Sequence, residues 1–136
     1  MEQNTIQNYL GDSYATNYPE TYPFWEAAEQ GQLLLKTCSD CERAHWYPRI
    51  ICPLCGSGNT LWKQASGKGT LYTFSVIARA EPPYALAYVQ LQEGPIVMTN
   101  LVDCDFDKLQ IGDPVQVKFR ATKEGRSMPV FAPAAG

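Results

Sequence analysis

The sequence predicts a mainly β protein in three parts. An N-terminal arm with one helix covers residues 1–31, a zinc ribbon covers 32–66, and a five-stranded barrel covers 67–136. Three observations predict this order. Four of the five cysteines form two pairs, Cys38-x2-Cys41 and Cys52-x2-Cys55. Ten prolines and ten glycines in 136 residues cut the chain into short elements. Beyond Gly67, short apolar-alternating runs recur between turn residues.

The arm is polar at first but rich in tyrosine, with Tyr9, Tyr14 and Tyr18 before Pro19. A helix is predicted over about 22–30, with Pro23 in its first turn, where a missing N–H costs nothing. Phe24, Trp25 and Ala28 share its apolar side, and Gly31 stops it. Six of the sixteen aromatic residues fall in the first 25 positions. These rings either cover the protein's own surface or dock on a partner, since Tyr and Trp give large contact area at small entropy cost.

In the cysteine module, residues 33–37 and 46–51 read as strands leading into the two pairs, and 59–64 as a returning third strand. Gly56, Gly58 and Asn59 supply the turn after the second pair. So short a module has little core, and a metal must supply much of its folding free energy, on the order of 10–16 kcal/mol for structural zinc. Four thiolates suit a tetrahedral ion and leave no coordination position open, which makes the site structural rather than hydrolytic. Iron in the same cage and a redox dithiol are the alternatives. His45 is a weaker candidate fifth ligand and reads as a surface or outer-sphere residue. Cys104 reads as a small core hydrophobe.

The barrel strands are predicted at 70–78, 84–91, 96–101, 114–121 and 128–131. Ala85, Ala87, Val89 and Leu91 alternate onto one face. Glu93-Gly94 and Ile111-Gly112-Asp113 turn the chain. Residues 103–109 form one helical turn, capped by Asp103 or Asp105. Gly67-Lys68-Gly69 reads as a flexible linker opening the first strand. Five strands with one helical insertion match the OB-fold, a partly open Greek-key barrel, with an SH3-like barrel as alternative.

The net charge of -3 argues against a nonspecific phosphate-binding surface. Residues 1–66 carry the whole excess, and 67–136 are balanced at seven basic and seven acidic groups. A nucleic-acid-binding OB-fold and ribbon module is the alternative reading, but no stripe of basic and stacking residues supports it. Residues 67–70 lack the glycine spacing of a phosphate loop, and Asp103, Asp105 and Asp107 lack the glycine and glutamate of a calcium loop. Cys104 and His45 form no recognisable nucleophile pair, so no catalytic residue is assigned. No apolar stretch approaches the roughly 20 residues that span a bilayer. Met1-Glu2-Gln3-Asn4 has neither the basic nor the apolar run of a secretory signal. A cytoplasmic setting is expected, in which paired thiols serve metal rather than disulfides.

Several ordered motifs resemble one family. They are Phe24-Trp25-Glu26 with Gly31, Pro48-Arg49, Cys52-Pro53-x-Cys55-Gly56, Gly67-x-Gly69-Thr70-Leu71-Tyr72, Thr99-Asn100-Leu101-Val102 and Ile111-Gly112-x-Pro114-Val115. Together with the first cysteine pair, they make residues 20–133 resemble the proteins of the domain of unknown function 35 type. Trp46-Tyr47 departs from the phenylalanine and proline the family often has there. The resemblance implies a rubredoxin-like ribbon plus OB-fold that serves as accessory subunit of a thiolase-like acyl-CoA enzyme. Hydratase, aldolase and acyltransferase partners occur in the family as well. It implies one structural zinc held by Cys38, Cys41, Cys52 and Cys55. It also implies CoA contacts at the partner interface, for which Arg49, Lys68, Arg79 and Lys118 are the phosphate-pairing candidates. Trp46, with Tyr47 and Tyr84, is a candidate lining for the acyl or pantetheine path. Catalytic residues would then belong to the partner, in a hetero-oligomer.

Overall fold

The computed structural model describes residues 8–134, so the first seven residues of the predicted arm, Met1-Glu2-Gln3-Asn4 among them, lie outside the described residues. Two compact units are present. One holds the chain up to Ala65 together with Phe119–Pro129, and the other holds Ser66–Lys118 with the chain from Val130 onward. No helix among the described residues is long and apolar enough to cross a membrane.

The first unit opens with helical pieces. A 3-10 turn, Asn8–Gly11, is followed by the short helix α1, Ser13–Thr16. Asp12 caps α1, its carboxylate accepting from the Tyr14 amide at 2.8 Å. A second 3-10 turn, Pro19–Thr21, runs into α2, Tyr22–Glu29. Pro23 lies in its first turn, and Gly31 takes a left-handed φ of 76° just beyond its end, as the sequence expects. Phe24, Trp25, Ala27 and Ala28 are buried. The rings of Phe24 and Trp25 meet edge to face at 4.7 Å. The Trp25 indole donates to the Thr21 hydroxyl at 3.1 Å, so its one polar atom is satisfied inside the core.

One buried contact of this unit joins residues far apart in sequence. Arg126, buried, donates through Nε to the Asp12 carboxylate at 2.7 Å. Its guanidinium lies 4.8 Å from the centre of the Tyr14 ring and 4.5 Å from that of Trp25. The Arg126 partner holds the Asp12 carboxyl below its usual range, against the burial that would raise it. By its sequence, loop 122–126 only connects two strands; in the fold it reaches back to pin the helical arm.

Glu29 at the end of α2 shows the opposite balance. Burial pushes its carboxyl up, and only the Ser127 hydroxyl, donating at 3.5 Å, works against that. Its Oε1 has no hydrogen-bond partner. A raised folded pKa means the fold favours the protonated acid, so this group costs stability above that pKa and ceases to do so as pH falls below the unfolded value. Glu29→Gln is therefore expected to raise the thermal midpoint at pH 7–8 and to have no such effect near pH 4. The gain comes from removing the charge that burial disfavours, the polar shape of the side chain being kept. Thermal unfolding at the two pH values measures it.

A three-stranded antiparallel sheet completes the metal-binding part of this unit, in the order β2-β1-β3. Its strands are β1, Leu34–Cys38, β2, Ala44–His45, and β3, Thr60–Gln64. Lys36 pairs with both His45 and Trp62, and its ammonium sits 4.9 Å from the Trp62 ring centre. Leu33 and Leu35 are buried beneath the sheet. The strand expected at 46–51 is not formed; pairing stops at His45. Pro48 there offers no N–H to a ladder, and Trp46 turns instead onto Phe24, ring centres 5.3 Å apart. His45 itself is buried rather than on the surface. Burial pushes its imidazole below its ordinary value, opposed by the Arg49 backbone and aided to a smaller extent by the charges of Lys36 and Arg49.

The barrel closes in the order β4-β5-β6-β8-β7. Its strands are β4, Lys68–Ile77, β5, Tyr84–Leu91, β6, Ile96–Leu101, β7, Pro114–Ala121, and β8, Ser127–Pro133. Parallel pairing of β6 with β8, at Leu101 and Phe131, and antiparallel pairing of β4 with β7 close it as an OB-fold rather than an SH3-like barrel. Ala85, Ala87, Val89 and Leu91 all face the core, with Leu71, Val97, Val115 and Phe131 around them. One 3-10 turn, Phe106–Lys108, is capped by Asp105, whose carboxylate accepts from the Asp107 amide. Cys104 is half-buried rather than a core residue, and burial with the Asp103 and Asp105 carboxylates pushes its thiol up.

Lys68 and Gly69 are not a flexible linker; they already belong to β4 and pair with β7. Gly69 is needed for packing rather than for freedom. A Cβ there would lie 2.6 Å from Val89 Cγ1 and 2.8 Å from the Gln90 carbonyl oxygen, the latter fixed in β5. Gly69→Ala is expected to lower stability by about 1–3 kcal/mol as the barrel is overpacked. Denaturant unfolding of the purified variant measures this.

Candidate metal centre and lysine-lined cavity

The two cysteine pairs fold as matching knuckles. In each, the amide of the residue after the second cysteine bonds the carbonyl of the first. Glu42 N–H reaches Cys38 O at 2.9 Å, and Gly56 N–H reaches Cys52 O at 2.8 Å. Both closing residues are left-handed, Glu42 at φ 61° and Gly56 at φ 82°. Backbone amides also donate to sulfur in both, Cys41 N–H to Cys38 Sγ and Leu54 N–H to Cys52 Sγ, each at 3.4 Å. A bridge ties the knuckles together, since the Asp40 carboxylate accepts from Ser57 Oγ and Asn59 Nδ2.

The four sulfurs lie within 4.8 Å of one another. Cys38 and Cys55 sulfurs are 3.5 Å apart, and those of Cys41 and Cys52 are 3.8 Å apart. A tetrahedron with metal–sulfur bonds of about 2.3 Å has edges of about 3.8 Å, so the geometry fits one ion bound by four thiolates. The surroundings lower two of the four thiols, while Cys55 is pushed up to about 12 against its Ser57 amide contact, by the neighbouring sulfurs and burial. The Cys41 amide, donating to Cys38, lowers that thiol to about 7. Burial would raise the Cys41 thiol, and the backbone and guanidinium N–H groups of Arg43 bring it below its ordinary value. Arg43 is not among the sequence candidates; its place directly after the first knuckle is the only signal that could have found it.

The five candidate CoA contacts separate. Lys68 and Lys118 line one cavity of about 630 Å³ in the barrel unit, with Gly69, Pro114, Gln116 and Pro133. Lys118 is ion-paired to Asp103 at 2.8 Å. Arg79 lies in the turn after β4, exposed and off this cavity. Arg49 and Trp46 belong to the metal-binding unit, Arg49 exposed and Trp46 packed between Phe24 and Tyr47.

Comparison with known proteins agrees with this architecture. Residues 25–60 match the family described as ChsH2, rubredoxin-like zinc ribbon domain, and residues 62–120 match ChsH2, C-terminal OB-fold domain. A solved chain of the Ltp2-ChsH2(DUF35) aldolase is 36% identical, with a TM-score of 0.73 over 85% of this chain and 94% of that one. A probable enoyl-CoA hydratase alpha subunit of Thermomonospora curvata is 36% identical over 82% of this chain, which spans only 37% of that subunit's length. A DUF35 domain-containing scaffold protein of Methanothermobacter thermautotrophicus is 36% identical, with 77% of this chain and 85% of that protein covered. Matched by the ribbon and barrel family models over 25–60 and 62–120, and 36% identical to a scaffold protein covered over 85% of its length, the chain belongs to the DUF35 family of zinc-ribbon and OB-fold proteins.

Proposed function

We propose that this chain is a non-catalytic accessory subunit of an acyl-CoA-processing complex, with a thiolase-like enzyme as its partner. It stabilises that partner and borders its acyl-CoA channel. The observation that carries this reading is the likeness along 94% of a chain of the Ltp2-ChsH2(DUF35) aldolase. The hydratase alpha subunit and the scaffold protein among its relatives support the same class. The four-thiol site holds one zinc ion as a structural staple; with every ligand position filled by protein sulfur, it has none to offer a substrate. The chain is then expected to be recovered from its native cell bound to an acyl-CoA enzyme identified by mass spectrometry. Recovery as a stable monomer without such an enzyme would overturn the proposal.

Lys68 and Lys118 are the CoA contacts that geometry supports best. Both residues border one concave site, where a phosphate would meet the Lys68 ammonium and compete with Asp103 for that of Lys118. The Lys68→Ala, Lys118→Ala double variant is expected to weaken CoA binding to the assembled complex about tenfold, the equivalent of about 1.4 kcal/mol. Isothermal titration of the complex with CoA measures this. An unchanged affinity would return both lysines to solvated surface charge.

A further inference from the structure

The outer face of the barrel between β4 and β6 has an unusual make-up. Register places Tyr88 opposite Met98, Gln90 opposite Ile96 and Leu86 opposite Asn100. On the other side, Thr73, Ser75 and Ile77 of β4 stand opposite Tyr88, Leu86 and Tyr84. These side chains point away from the core, which is filled by the alternate residues Ala85, Ala87 and Val89. Tyr84, Tyr88, Ile96 and Met98 are 44%, 42%, 41% and 58% exposed. No residue at the centre of this face is Asp, Glu, Lys or Arg. Charged residues stand only at its ends, Lys68 at the start of β4, Arg79 and Glu81 before β5 and Glu93 after it. An uncharged centre rich in Tyr and Met with a charged margin is the anatomy of a protein interface.

We infer that this face is the docking surface for the folded acyl-CoA enzyme subunit, whose contacting surface must itself be apolar and uncharged. The identity of that occupant rests on the function proposed above; its physical character rests on the face. A phosphate-rich partner, nucleic acid or an anionic lipid surface, would find no cation at the centre of the face, only Lys68 and Arg79 at its margin. An extended peptide cannot add as a strand within this face, because β5 at its centre is already paired on both edges, with β4 and β6. A partner with charges facing this surface would bury them unpaired, which the low dielectric of a closed interface strongly disfavours. The occupant that fits an uncharged centre of this make-up is a folded protein with a complementary apolar face, on which the two tyrosines serve as anchors.

The test uses the tagged full chain expressed in its native cell, with each captured protein identified by mass spectrometry. Met98→Glu and, separately, Tyr88→Lys place one charge on the face at exposed positions. Ile111→Glu, 68% exposed before β7 and off the face, is the control. Zinc content and thermal midpoint of each variant establish that it is folded. The expected result is capture of an acyl-CoA enzyme by the wild type and by Ile111→Glu, with at least about tenfold less captured by both face variants. Equal capture by all four proteins would overturn the assignment of this face and leave the proposed function standing. Should the wild type instead be a dimer that Met98→Glu makes monomeric, the occupant is a second copy and the inference fails. If the wild type captures no acyl-CoA enzyme, the proposed function fails first and this occupant with it.

Discussion

Cys52→Ser is expected to abolish metal binding and to unfold the metal-binding unit. The wild type should carry one zinc per chain by elemental analysis, and the variant close to none. Cys52 is buried, its sulfur accepts from the Leu54 amide, and it stands 3.8 Å from Cys41 across the site. Its loss leaves three sulfurs and a hydroxyl that binds zinc poorly at neutral pH. The sheet it holds has strands of five, two and five residues, too little to be stable without the ion. Binding free energy here is folding free energy, on the order of 10–16 kcal/mol for such sites, so the metal far outweighs any single side-chain contact in the unit. All three tryptophans, Trp25, Trp46 and Trp62, lie in that unit, so their fluorescence reports it directly. Emission should shift to longer wavelength in Cys52→Ser, and in the wild type after a strong chelator. An unshifted spectrum from a metal-free protein would show that the ribbon folds without the ion.

Spacing makes this site legible in the sequence alone. Two identical gaps fix two identical knuckles, because the chain between each pair of sulfurs has room for one turn only. The αL residues that close them are half visible: Gly56 announces its conformation and Glu42 does not. Alternation makes the barrel legible in the same way, since Ala85, Ala87, Val89 and Leu91 can share a face only in a strand. Short connections are harder. The expected strand at 46–51 fails because pairing with β1 depends on a partner edge, which no local pattern encodes. Lys68 and Gly69 read as a linker because two glycines nearby resemble one; in place, Gly69 lets β5 approach β4. Among the candidate CoA contacts, sequence offers only charge. That Lys68 and Lys118 share a cavity and Arg79 does not is a consequence of barrel closure.

Arg126 is invisible for a different reason. It sits in a loop of polar residues and finds Asp12 across 114 positions of sequence, where neither periodicity nor a motif gives any sign. Arg126→Ala is expected to destabilise the protein by about 3–5 kcal/mol, because it leaves the Asp12 carboxylate buried without its cation. Both side chains are over nine-tenths buried, so solvent does not screen the pair as it would at the surface. The substitution also empties the space between Tyr14 and Trp25. Arg126→Lys should recover only part of the loss, since an ammonium cannot stack flat on two rings. Arg126→Ala with Asp12→Asn should be less damaging than Arg126→Ala alone, the mark of direct coupling. The pH dependence has a definite sign. Asp12 has a depressed folded pKa, so its contribution is present above the unfolded value of about 3.9 and is lost as pH falls through the folded one. The wild type should therefore lose stability relative to Arg126→Ala as the solution is acidified below about pH 4. Urea unfolding of both proteins between pH 7 and pH 3 measures this, and a stability gap that stays constant across the range would show that the stacking, not the ion pair, holds the arm.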